Sequence, residues 1–417
     1  MKALIVGAGA QGAVIATELV RDPEVAEVRI ADIDLDRAKR IADRLKSEKV
    51  SVHRVDATNI GDVSKAADGV DVVVNVVGVA GPIYGKICLA VFEAAFESGA
   101  NYQDLWSSAR EEQTKQNGRW REAGLTALPD TGFSPGMAQI LSAYGASKFD
   151  NVEEIIIRRG GRVIREDREY ISTWSHEITW WPSEQPYQVG ETEKPRQRYN
   201  VYEDGELKWE DGLEEVYSFP EPIGPLNLRA STIPAIESEN IPSPRLVKAK
   251  RIVVMSPVPG PRDYRRFVGR IGLISEKPIE VKGMKVAPRD VFISLIPPTP
   301  SMEEMENKYK SGLLGETITG LAVEVRGVKA GREKKYTIYW RSLNYDEIMK
   351  RLPGATCMSY KTSVPASILT RFLGKGKIKN KGVFPPEGIE TETLHEFIVE
   401  LARKGMKVHE STEGYIT

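Results

Sequence analysis

The stretch Met1–Asp32 constrains the fold of this 417-residue chain more than any other. Lys2–Val6 (KALIV) is a short apolar run of strand type. Gly7-Ala8-Gly9-Ala10-Gln11-Gly12 follows at once, and Val14, Ile15, Leu19 and Val20 then recur at helical spacing. Gly7 permits a sharp turn, Gly9 lets backbone approach a pyrophosphate, and Gly12 lets the helix lie close on the strand. Free N–H groups at the helix start, where Ala10 and Gln11 stand, hold the anion. A second strand, Val28–Ala31, ends at Asp32, about 20 residues beyond Gly12, where a carboxylate accepts hydrogen bonds from ribose hydroxyls. An acid there repels a 2′-phosphate, so NAD is expected over NADP, although Arg37 and Arg40 lie just downstream. The plainer alternative is a doubly wound domain that holds no dinucleotide.

The pattern continues as strand alternating with helix. Helix is expected over 35–47, 83–98, 109–123 and 137–148, and strand over 51–55, 71–77, 101–105 and 125–128. Asp56 stands at a strand's carboxyl end, near the adenine or as a turn acid. Gly78, in the loop Gly78–Pro82, falls beside the nicotinamide half of the cofactor. Six strands complete a Rossmann domain over 1–134, an α/β doubly wound parallel sheet. From Val152 the character changes: 152–158, 170–174, 251–255 and 336–340 read as strands, with helices at 262–274 and 288–295. This gives a second α+β domain over 135–354 with a mixed, largely antiparallel sheet, of a kind that often pairs across a dimer axis; a homodimer is expected. Residues 355–417, with helices at 365–373 and 391–404 and a strand near 407–410, are expected to return to the first domain. Lys375, Lys377, Lys379 and Lys381 read as a solvated loop.

Composition narrows the function classes. With 58 basic and 59 acidic residues the net charge is −1, which argues against bulk-charge binding of nucleic acid or a membrane surface. Cys88 and Cys357 form no disulfide framework and have no metal-ligand spacing, so a reducing compartment and no metal are expected. The start enters a strand without a signal-type segment, and no apolar run reaches the roughly 18 residues of a span, so a cytoplasmic protein is expected.

Asp130-Thr-Gly-Phe-Ser-Pro-Gly-Met137, after the sixth strand, resembles the saccharopine dehydrogenase family in the broad sense, which includes saccharopine reductase, lysine 6-dehydrogenase and carboxynorspermidine dehydrogenase. Gly99-Ala-Asn-Tyr102-Gln-Asp104, Thr173-Trp174-Ser175, Thr356–Leu373 and Gly382–Glu387 are similar to further family segments. The chain departs from the family at Ser134, where several members carry aspartate. It departs again at Met255–Pro261 (MSPVPGP), which lacks the arginine that would clamp a substrate carboxylate. The resemblance implies NAD(P)-dependent oxidation or reduction at a carbon bearing nitrogen, on an amino acid or polyamine, most like lysine 6-dehydrogenase. Reductive condensation of an aldehyde with an amine, or a dinucleotide sensor without chemistry, are the alternatives.

Such chemistry needs a proton carrier. His176, one of four histidines and close to Trp174, Trp180 and Trp181, is the first candidate, or else packs between tryptophans. Trp174 and Ser134 are expected at the substrate. Asp130, at a strand's carboxyl end, binds an ammonium, relays a proton or caps its turn. Tyr102 and Asp104 hold the neighbouring strand end, with the same choice between catalysis and structure. His53, His395 and His409 read as structural.

Overall fold

The computed structural model describes residues 1–79, 82–180, 198–230, 233–234, 242–258 and 264–414. Its first sheet is built from strands β1 (Lys2–Val6), β2 (Glu27–Asp32), β3 (Val50–Arg54), β4 (Val72–Asn75), β5 (Asn101–Asp104) and β6 (Thr126–Leu128). All pairs are parallel and the order is β6-β5-β4-β1-β2-β3. The order reverses between β1 and β4, which opens a crevice at their carboxyl ends. Strands buried on both faces must be apolar throughout, and Leu4, Ile5, Val72, Val73 and Val74 are wholly buried.

Helices α1 (Ala10–Val20), α2 (Leu35–Leu45), α3 (Ile60–Ala67) and α4 (Pro82–Glu97) connect the strands. The expected 109–123 helix is divided into α5 (Arg110–Lys115) and α6 (Asn117–Glu122), and α7 (Met137–Ala146) leads out of the sheet. α3 escaped the sequence reading because eight residues carry so short a period, yet Asn59 caps it and Val63, Ala66 and Ala67 are buried.

The second sheet has nine strands and is centred on β7 (Asn151–Arg165). Ala249–Pro257 lies parallel to β7 on one side, and Glu316–Lys329 antiparallel on the other, followed by Arg332–Arg341. The remaining pairs are antiparallel, so the sheet is mixed and largely antiparallel as expected. Tyr170–Trp174, expected as a strand, is not one. The hydroxyls of Ser172 and Thr299 donate to the Trp174 carbonyl at 2.7 and 3.0 Å, taking the acceptor that a ladder would use.

The C-terminal part divides between the two sheets. Helix Cys357–Gly374, capped by Thr356, packs along α1, and Gly382–Val383 adds a seventh parallel strand outside β6. Val408–Gly414 instead pairs with Arg332–Arg341 in the second sheet, so the return to the first domain ends before it. Lys375 is no free loop lysine either. Its ammonium pairs with Asp22 at 3.0 Å and with Glu24; Lys377, Lys379 and Lys381 are exposed, Lys377 pairing with Glu396. Among the described residues no helix is long and apolar enough to cross a membrane, and no cluster of metal-ligating side chains occurs.

Candidate active site

The glycine turn has the geometry its sequence demands. Gly7 has φ +115°, a left-handed conformation, and a Cβ on Gly12 would sit 2.1 Å from the Gly7 carbonyl oxygen. A Cβ on Gly9 would meet nothing within 4 Å, so space is open in front of the N-terminus of α1. The first turn of α1 has no acidic side chain and its leading N–H groups have no helical acceptor. Asp32 ends β2 with one carboxylate oxygen accepting from Ala8 N–H at 2.7 Å and the other from Asp34 N–H at 2.9 Å. This donor set fits a dinucleotide, with Gly7, Gly9, Ala10, Gln11 and Gly12 at the pyrophosphate and Asp32 at the ribose. Asp56 lines an adjoining cleft of about 300 Å³ with Ile33, Arg54 and Asp62, and hydrogen bonds from Thr58 hold its carboxyl below the usual range.

Beyond β4 the second domain closes on the loop. Ser175 Oγ donates to the Gly78 carbonyl at 3.0 Å, and Ile178 lies 3.7 Å from where a Gly78 Cβ would be. The short helix His176–Thr179 thus sits over Gly78. The His176 Nε2–H donates to the Pro297 carbonyl at 2.6 Å, and Nδ1 is buried without a hydrogen-bond partner among the described residues. The ring stacks beside Tyr170, 6.3 Å away.

At the ends of β5 and β6 lies a buried acid cluster. Tyr102 donates to Asp104 at 2.9 Å, Asp130 N–H donates to the other Asp104 oxygen at 2.8 Å, and Ser107 N–H donates to Asp130 at 2.9 Å. Arg110 reaches Asp130 at 3.3 Å and Glu387 at 3.8 Å. Burial, reinforced by the Asp130 charge, pushes the Asp104 carboxyl up to about 7, and burial also raises Asp130 and Glu387. Tyr102, Asp104 and Asp130 are each at most 1% exposed and lie beneath the turn that carries Ser134.

One pH effect follows from Asp104. A carboxyl protonated more readily in the folded chain than in the unfolded one stabilises fully below the unfolded value of about 3.9, and loses that contribution as pH rises through about 7. Urea unfolding at pH 5 and pH 8 will therefore show wild type losing stability relative to Asp104→Asn as pH rises, by on the order of 2–4 kcal/mol. Parallel behaviour of the two proteins would contradict the assignment.

The turn after β6 is pinned by glycines. Gly136 has φ +125° and a Cβ there would lie 2.1 Å from the Gly132 carbonyl oxygen. This presents Ser134 to the second sheet, where Arg159 of β7 donates to Ser134 Oγ at 3.3 Å and to Ser256 Oγ at 2.9 Å. Lys361, from helix Cys357–Gly374, lies over the Phe133 ring at 4.9 Å.

Arg159, Lys361, Arg110 and Glu387 escaped the sequence reading. Period-two alternation carried the signal for Arg159, since Ile155 and Ile157 on its face of β7 are wholly buried toward the first domain. The clamp missing from Met255–Pro261 thus has a guanidinium beside it, supplied by the neighbouring strand; Pro259–Pro261 lie outside the described residues.

A Rossmann sheet with an open anion cradle, covered by a second domain that presents polar side chains to its switch point, defines a two-domain dinucleotide-dependent oxidoreductase. Comparison gives the family. The saccharopine dehydrogenase NADP binding domain matches residues 3–128 and the saccharopine dehydrogenase C-terminal domain matches residues 132–406. The chain belongs to the saccharopine dehydrogenase family. Carboxyaminopropylagmatine dehydrogenase of Synechocystis sp. is 25% identical, over 99% of this chain and 98% of that one. Carboxynorspermidine synthase of Vibrio cholerae is 24% identical, over 95% of this chain and 94% of that one. Saccharopine dehydrogenase (L-Glu forming) of Saccharomyces cerevisiae shares the fold, with a TM-score of 0.66 at 15% identity over 99% of both chains.

Proposed function

We propose that this protein transfers hydride between NAD(H) and a carbon bonded to nitrogen in a carboxylated amine. It reduces the imine formed when an aldehyde condenses with an amine, or oxidises the resulting secondary amine in reverse. The observation that carries this reading is that the second domain touches the carboxyl edge of the first sheet at two turns: Ser175 donates to the Gly78 carbonyl beyond β4, and Arg159 donates to Ser134 beyond β6. The names of the two relatives favour the condensing reaction and a polyamine product over oxidation of free lysine.

The nicotinamide supplies and accepts the hydride. The chain's residues orient it, exclude water and move a proton on nitrogen. His176, with its Nε2–H committed to Pro297, offers Nδ1 as the base. Trp174 and Ser134 contact the substrate, and Tyr102, Asp104 and Asp130 are positioning residues beneath the turn. Asp32 supports NAD over NADP, because a fixed carboxylate at the ribose repels a 2′-phosphate.

The reading is tested by mixing NADH with an aldehyde and an amine separately and together. NADH will be consumed only when both are present, at least tenfold faster than NADPH, and Asp32→Ala will collapse that ratio. Consumption with aldehyde alone would show alcohol formation and contradict the reading.

A further inference from the structure

We propose that Lys361 is a specificity-determining residue whose ammonium, with the Arg159 guanidinium, forms a two-cation subsite for the carboxylate of the substrate. The inference deepens the reading of this cleft as an amine site and rests on it. Helix Cys357–Gly374 places Lys361 between the two turns that matter. Thr362 lies 3.5 Å from where a Cβ on Gly132 would be, and Ser363 Oγ donates to the Gln11 carbonyl at 3.2 Å. One residue earlier, Lys361 reaches over Phe133 toward Arg159, which is held on Ser134 and Ser256.

Lys361 is only 8% exposed, and among the described residues its ammonium has no hydrogen bond and no carboxylate at ion-pair distance. Burial and the nearby Arg159 charge both pull it below the ordinary lysine range, while only Cys357 acts in the other direction. A buried ammonium beside the Arg159 charge is disfavoured, and a single aromatic face returns only part of the hydration it loses. An anion placed beside the Lys361 ammonium offsets both effects. A carboxylate suits the position: it accepts a charge-assisted bond from the Lys361 ammonium and lies in the field of the Arg159 guanidinium. The position also has a chemical use. It fixes the substrate's acidic end against the turn 132–136 while the nitrogen lies toward Gly78 and His176, so that binding the carboxylate orients the reacting carbon.

The test uses L-lysine and cadaverine, which differ by one carboxylate, on the NAD-loaded full-length protein. Calorimetry gives their affinities, and peptide mass spectrometry gives the rate at which cyanate carbamylates Lys361. We expect L-lysine to bind wild type at least tenfold more tightly than cadaverine and to slow modification of Lys361 severalfold. Lys361→Met will erase the affinity ratio through weaker binding of L-lysine while NAD still binds, and Lys361→Arg will restore part of the ratio. An unchanged ratio in Lys361→Met, or no protection of Lys361 by L-lysine, overturns the proposal. If the ratio and protection hold but no amine and aldehyde pair consumes NADH, the subsite stands and the oxidoreductase reading falls. Turnover with an unaltered ratio in Lys361→Met sinks the subsite alone.

Discussion

Arg110→Met will lower the unfolding free energy by about 3–5 kcal/mol, because it strips the shared cation from two buried carboxyls. Arg110 lies 3.3 Å from Asp130 and 3.8 Å from Glu387, which are 1% and 4% exposed. Burial already raises both carboxyls, and the Arg110 charge is the leading influence that lowers them. Without it they must take up protons or open the site to water. The loss is therefore greatest at alkaline pH and shrinks as pH falls and both acids become neutral. The damage is not local, since Glu387 also accepts the Ser243 N–H at 2.6 Å and so ties the returning segment to the second domain. Urea unfolding followed by circular dichroism checks this. A triple replacement with Asp130→Asn and Glu387→Gln should recover part of the loss, and a fall below about 1 kcal/mol in the single variant would show that the cluster is solvated.

His176→Gln will lower kcat by about 100-fold or more while leaving the Kd for NAD within about twofold. A glutamine amide can still donate to the Pro297 carbonyl, as Nε2–H does now, so the helix over Gly78 keeps its anchor. What is lost is the basic Nδ1, which in the native ring is buried with no partner among the described residues. Stopped-flow measurement separates the two quantities. A variant with normal kcat would mean that the ring only packs beside Tyr170 and holds Pro297.

The parts of this architecture that were legible in the sequence are those written locally. Gly7, Gly9, Gly12 and Asp32 each answer a steric or electrostatic demand within one strand–turn–helix unit, and the chain folds as they require. β7 and Arg332–Arg341 were visible through their β-branched and aromatic residues, although both strands run well beyond the segments expected. What was hidden depends on distant partners. Residues 407–410 read as a short strand, but only the pairing of Val408–Gly414 with Arg332–Arg341 decides its sheet. Tyr170–Trp174 has strand-like residues, yet hydroxyls from Ser172 and Thr299 take its carbonyl. Arg159 and Lys361 stand more than 200 positions apart, and neither strand alternation nor helix period announces that they converge.

Hydride transfer to or from a carbon bonded to nitrogen leaves an isotopic trace. It is tested most directly by supplying NADH deuterated at the transferable position together with an aldehyde and an amine, and locating the label in the product by mass spectrometry and NMR. The product will be a secondary amine with one deuterium on the carbon attached to nitrogen. Deuterium in an alcohol, or a secondary amine formed without label, would contradict it.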